Sequence, residues 1–263
     1  MELKRDKYTV IYIFLAIFLI YTVIRFFLRP FDEDTYTLLT DTDTFLIAAM
    51  PGIIYILVAQ KFNLETTSGK IWLLLGIGFV FWGIGDFLWA IFEIVLSTDN
   101  PFASFPDVAW MLGYPFFFAG LLWEFKIIDI EVEKRNVVLL LLFDIAIALI
   151  VSFLVLIPIL TYTEEVIPLF DLTIYLYYPI ADLLIIFITG LIFLKFRGGK
   201  IAWPWFIVVA GFFIMSIADT YFNWLTWQDL YGSYSIFDVI YYLAYIVLIA
   251  GGLEMHKLLS KAE

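Results

Sequence analysis

Eight stretches of this chain, near residues 8–28, 44–60, 70–96, 106–124, 136–160, 172–195, 202–227 and 235–257, are each long and apolar enough to cross a membrane as a helix. A spanning helix needs about 20 mostly apolar residues, and the helical form is required because no water is present there to satisfy the backbone. The segments between the runs are short, which leaves no room for a soluble domain. With 63% hydrophobic and only 16% charged residues, the composition lies far from that of water-soluble domains. The fold class that follows is an all-α polytopic membrane protein of about eight transmembrane helices.

The first run follows Lys4, Arg5 and Lys7, as a signal peptide would, but it is too long for a signal-peptide core and lacks a small-residue cleavage site. It is expected to be a retained helix. Cysteine is absent, which excludes disulfides and thiolate chemistry, and His256 is the sole histidine, so no histidine-based metal site is expected. No lysine lies inside a span, which argues against a retinal Schiff base, and no phosphate loop, nucleophile elbow or redox motif is present. No cofactor is expected. Two glutamines, four asparagines and no cysteine also make the chain poor in heat-labile residues, which points towards a thermophilic source.

Placing the N-terminus in the cytoplasm puts thirteen of the fifteen basic residues inside: Lys4, Arg5, Lys7, Lys61, Lys70, Lys126, Lys134, Arg135, Lys195, Arg197, Lys200, Lys257 and Lys261. Eight spans return the C-terminus to the same side, as the positive-inside rule favours. The outer segments then carry Asp32, Glu33, Asp34, Asp41, Asp43, Asp99, Glu164, Glu165, Asp171 and Asp229, so much of the net charge of −11 faces outward. The expected location is the cell membrane, with the lipid bilayer as partner and nucleic acid excluded by the sign of the charge. Arg29 is expected to snorkel to the acidic loop PFDEDT. Arg25 lies one turn deeper, near the depth of Asp86, and is the basic side chain placed to be an intramembrane counter-ion.

The chain also repeats itself. The segment from Ser104 to Leu122 returns 131 positions later, matching Ser104, Asp107, Tyr114 and Gly120 with Ser235, Asp238, Tyr245 and Gly251. The preceding helices align at an offset of 133, pairing Trp72 with Trp205, Gly78 with Gly211, Phe79 with Phe212 and Asp86 with Asp219. Lys61-Phe62 and Lys195-Phe196 close the second and sixth runs alike. Residues 1–130 and 131–263 are therefore expected to be two four-helix repeats of one membrane domain, related by an axis along the membrane normal. Asp144 and Asp182 lie within the fifth and sixth runs and have no acidic counterpart in the first half.

Two readings stand open for the repeated carboxylates. Asp107 and Asp238 each follow a serine by three residues, in SFPD and SIFD, which is the pattern of a helix-capping box. Asp86 and Asp219 fall inside the hydrocarbon, where a charge costs about 2.5–3.5 kcal/mol, so each needs a partner or a proton. The structural reading gives them hydrogen bonds to Tyr114 or Tyr245. The functional reading makes them a polar centre facing outward across the axis between the halves. Trp110 and Tyr114 share a helical face with Asp107, and Tyr241 and Tyr245 with Asp238; such stripes line an aromatic interface belt or a pocket for a flat or cationic ligand. Glu93 shares a face with Asp86 and is expected to reach the outer interface.

The pattern Gly85-Asp86, then Ser104-x-Pro106-Asp107 and Gly113-Tyr114-Pro115 with Gly120-Leu121, resembles the multi-helix membrane sensor regions that precede GGDEF-type diguanylate cyclase domains. Tyr178-Pro179 with Asp182, and Asp219 with Asp238 to Tyr245, extend the similarity over most of the chain. The resemblance implies a stand-alone sensory or ligand-binding module that acts through a membrane or cytoplasmic signalling partner or directly on a ligand. Its candidate ligand-binding residues are Asp86, Asp219, Asp107, Asp238, Trp110, Tyr114, Tyr241 and Tyr245. A proton- or cation-coupled carrier using Asp86, Asp219, Asp182 and Asp144, a lipid-directed enzyme using paired carboxylates, and a structural subunit of a membrane complex are the rival classes.

Overall fold

A computed structural model describes residues 7–98, 102–163, 166–196, 198–232 and 235–261. Lys4, Arg5, Asp99, Glu164, Glu165 and Arg197 lie outside the described residues. Among the described residues eight helices are long and apolar enough to span a membrane: α1 Lys7–Leu28, α2 Glu33–Phe62, α3 Thr67–Val95, α4 Phe105–Ile127, α5 Lys134–Leu160, α6 Leu169–Lys195, α7 Ala202–Trp227 and α8 Ile236–Ser260. Among the described residues there is no strand. The protein is an all-α polytopic membrane protein.

Six of the helices close a ring, in which α2 packs on α3, α3 on α4, α4 on α6, α6 on α7, α7 on α8 and α8 back on α2. The other two lie outside it, α1 against α8 and α5 against α6. Their composition explains the placement. α5 is apolar on nearly every side and exposes Leu139, Leu142, Leu149 and Phe153, which suits a surface facing lipid chains.

The ring is filled by aromatic side chains from α3 and α7. Trp72 meets Trp205 at 5.3 Å between ring centroids, Phe79 stacks on Phe212 at 5.6 Å, and Trp89 meets Phe222 at 5.8 Å. In each pair a residue touches the one 133 positions later in the chain. Small residues let the neighbouring helices approach. A Cβ on Gly120 would meet the Ile71 carbonyl and Leu75, and one on Gly251 would meet the Pro204 carbonyl and Val208.

Prolines inside α4 and α6 each remove a backbone donor, freeing the carbonyl four residues earlier. Side chains of the next helix take both. Tyr177 Oη donates to the Met111 carbonyl at 3.0 Å, answering Pro115, and Asn223 Nδ2 donates to the Tyr175 carbonyl at 3.1 Å, answering Pro179. The two breaks thus become the polar joints that fix α4 to α6 and α6 to α7.

α2 starts well before the expected 44–60 span, and this corrects the placement of Asp41 and Asp43 in an outer loop. Both lie in the first half of a 30-residue helix, Asp41 only 6% exposed. The helix begins where Asp32 accepts from the Thr35 amide at 2.9 Å and from the Thr35 hydroxyl at 3.0 Å. Those bonds, to the amide first, hold the exposed Asp32 carboxyl below its ordinary value. A lowered folded value means the cap stabilises the helix start above the unfolded value near 3.8 and is lost as pH falls through the folded one. In hydrogen exchange the protection factor of the Thr35 amide is therefore expected to hold between pH 7 and pH 5, to drop below about pH 4, and to be lost at every pH in Asp32→Ala. An unchanged Thr35 protection in that variant would show that the cap does not hold the turn.

At the opposite end of the bundle, polar side chains tie helix to helix. Tyr8 bonds His256 at 2.8 Å and Tyr12 donates to Glu254 at 2.7 Å, joining α1 to α8. Lys195 Nζ donates to the carbonyls of Phe125 and Ile128 at 2.8 and 2.7 Å, closing the end of α4 from α6. Lys195 thus has a structural task beyond marking the membrane boundary.

Candidate functional site

At the Arg25 end, the ring opens into a cavity of about 810 Å³, its mouth included. Asp86 and Asp219 form its floor with Trp82 and Met215. Counting back from Val95 and Trp227 at about 1.5 Å per residue, they lie about 13 and 12 Å from the ends of α3 and α7. Each aspartate is held by neutral donors, hydroxyls first, rather than by a cation. Tyr245 Oη donates to Asp86 at 3.0 Å, and Tyr114 Oη lies 3.4 Å from Asp219. Tyr114 and Tyr245 are 131 positions apart, so a tyrosine of each half reaches the aspartate of the other. Tyr241 adds a bond of 2.8 Å to Asp219, and the Trp110 indole donates to Asp86.

Asp182 stands behind this floor. Tyr114 Oη approaches its Oδ1 at 2.9 Å, while its Oδ2 has no hydrogen-bond partner, and the residue is 3% exposed. A chain of groups therefore runs from Asp182 through Tyr114 and Asp219 to Tyr241, joining α6, α4, α7 and α8.

Nearer the mouth the cavity is lined by Asp41 and Asp238, with Thr40, Thr44 and Tyr231 beside them. The Asp41 carboxyl meets that of Glu93. The final turn of α3, Ile91–Val95, is a π-helical turn, which carries Glu93 and packs against α2. Tyr231, in the segment between α7 and α8, donates to Asp238 at 3.0 Å. Burial first, and then the Asp238 carboxyl, push the Tyr231 hydroxyl far above the ordinary tyrosine value, so it remains a donor.

The two capping motifs part company here. At the start of α4 the Ser104 amide donates to Asp107 at 2.9 Å, and Tyr178 Oη donates to the other Asp107 oxygen at 3.0 Å. Asp107 is fully buried and is not among the residues that line the cavity, whereas Tyr178, which bonds it, is. At the start of α8, Ser235 accepts from the Phe237 amide at 3.3 Å, and Asp238 turns to Tyr231 in the cavity. One sequence pattern serves a helix start in the first half and a cavity wall in the second.

Arg25 forms a buried ion pair. It is 2% exposed, and its counter-ion is Asp43 at 2.6 Å, not Asp86. Tyr21, Thr40 and Tyr242 surround it at 3.3, 3.4 and 3.3 Å, and the rings of Tyr21 and Tyr36 flank its guanidinium. The ion pair ties α1 to α2 outside the cavity, because α2 turns its Asp43 side towards α1 and its Asp41 side inward. Asp144 remains apart, on the peripheral α5.

Of the expected residues, the structure brings Asp86, Asp219, Asp238, Trp110, Tyr114, Tyr241 and Tyr245 to one cavity. It adds Asp41, Thr40, Thr44, Trp89, Tyr178, Phe222 and Tyr231, which sequence reasoning missed. The sign of a helix start at Asp32 was available for Asp41, since a carboxylate followed by Glu33 and Asp34 suits a first turn. Comparison with protein-family models, curated proteins and solved structures gives no match to this chain.

Proposed function

We propose that this protein is a non-enzymatic ligand-binding or sensory module of the cell membrane, built as a duplicated four-helix unit with both termini cytoplasmic and the cavity facing outward. The observation that carries the reading is the crossed pair Tyr245–Asp86 and Tyr114–Asp219, which places two carboxyls at the floor of an aromatic cavity on the line between the halves. Carboxyls that served packing alone would gain nothing from facing a cavity, because burial of such a group is costly wherever it is not paired. Basic residues at the other end of the bundle support the orientation. A signalling partner would read the state of the cavity through α3 and α7, whose aromatic stack runs from the floor towards the cytoplasmic end.

The test is native mass spectrometry of the full chain, purified in a mild detergent, beside the Asp86→Asn/Asp219→Asn double variant. The expected result is a discrete adduct on the unaltered protein that the double variant loses while its helical circular dichroism is unchanged. An adduct retained by a folded double variant, or bare protein in both samples, would overturn the reading. The Asp182–Tyr114–Asp219–Tyr241 chain favours one second reading, a proton- or cation-coupled carrier. In that case liposomes holding the protein take up solute in response to a pH gradient, and Asp182→Asn abolishes the response.

A further inference from the structure

We infer that the ligand of this cavity is a linear amine with two ammonium groups, one for each of two carboxyl tiers. The inference rests on the reading that the cavity binds a ligand, and it names the ligand's class. The deep tier is Asp86 and Asp219; the tier near the mouth is Asp41 and Asp238, with Glu93 against Asp41. Asp86 and Glu93 are seven residues apart on α3, as are Asp238 and Tyr245, the donor to Asp86, on α8. At the rise of an α-helix the tiers are about 10 Å apart.

Between them stands an apolar collar. Trp89 meets Trp110 at 5.7 Å, Phe222 at 5.8 Å and Tyr231 at 6.2 Å between centroids, so four rings from three helices and the following loop face one stretch of the cavity. Rings of this kind attract an ammonium group and also pack against a methylene chain. In the mouth tier the Asp41 carboxyl faces that of Glu93, another acid. Asp41 Oδ2 has no hydrogen-bond partner, although the residue lines the cavity and is 6% exposed. A buried carboxyl oxygen of this kind is costly unless a donor reaches it, and an ammonium group supplies three.

The alternatives fit less well. Among the described residues no three acidic side chains converge on a point that would hold a metal ion. An anion would meet carboxyls at both tiers. Arg25, a buried cation of this region, is engaged by Asp43 outside the cavity and does not line it.

The full chain in detergent micelles is titrated with 1,8-diaminooctane, octylamine, 1,4-diaminobutane and 1,8-octanediol, following the fluorescence of the cavity tryptophans. The long diamine is expected to bind at least tenfold more tightly than octylamine or the short diamine, and the diol not at all. Asp41→Asn/Asp238→Asn is expected to bring the long diamine down to the level of octylamine. Equal affinity for octylamine and the long diamine overturns the two-headed ligand. Amines that fail to bind while the Asp86- and Asp219-dependent adduct persists overturn the amine class and leave the ligand-binding reading standing. Loss of both the amines and the adduct overturns the two together. The comparison among ligands is made on the unaltered protein, so it holds even if a variant does not fold.

Discussion

Arg25→Met lowers the stability of the bundle by about 3 kcal/mol, and the double variant Arg25→Met/Asp43→Leu recovers most of that loss. The reason is the asymmetry of a buried ion pair. The pair itself gives little net stability, because both charges have left water, but removal of one partner leaves the other charge uncompensated. Arg25 is 2% exposed against 18% for the Asp43 side chain, so the figure falls at the lower end of the range for such pairs. The same change deprives Thr40 and Tyr242 of a donor. Thermal unfolding of the two single variants and the double in the same detergent forms the cycle that measures the coupling. Strictly additive losses would show that the two side chains do not act as a pair. Because Arg25 ties α1 to α2, limited proteolysis of the single variant should release α1 first.

Phe79→Ala destabilises the protein by about 3 kcal/mol, whereas Phe153→Ala changes stability by less than about 0.5 kcal/mol. Both are phenylalanines in spanning helices, and hydropathy treats them alike. Lipid is as apolar as a side chain, so transfer out of water contributes nothing to the difference between them, and packing decides it. Phe79 is fully buried and touches Tyr55, Trp82, Phe117 and Phe212 at centroid separations of 5.0, 5.7, 4.7 and 5.6 Å. Its loss leaves a void at the centre of the ring and removes the support of Trp82, a residue of the cavity floor. Phe153 is 74% exposed on α5 and loses only contact with lipid. Denaturation of the two variants beside the unaltered protein separates them, and a similar loss in both would contradict the packing argument.

Much of the candidate site was legible in the chain. Asp86, Asp219, Tyr114 and Tyr245 stand out because they are polar residues kept at matching places in apolar runs, and the structure brings these four to the floor of one cavity. Asp107 and Asp238 show where such reasoning stops. Their neighbours match, yet Asp107 is sealed behind Tyr178 and Asp238 lines the mouth, since a side chain's surroundings come from helices distant in sequence. Asp41 and Asp43 show the same limit in another form. Side chains two residues apart on a helix point in different directions, so the Asp41 carboxyl lines the cavity and meets Glu93 while the Asp43 carboxyl neutralises Arg25 on the outer side.

The sequence by itself determined that this is a bundle of eight spanning helices, because the absence of water in the bilayer leaves a long apolar run no other way to satisfy its backbone. It also determined which polar residues needed an explanation. Only the tertiary structure decided which of them meet: that six helices close a ring and two stand outside, that the tyrosine of each half reaches the aspartate of the other, and that Arg25 pairs with Asp43. In a membrane the helices form independently of one another, and their arrangement is set by close packing and by hydrogen bonds between residues far apart in the chain.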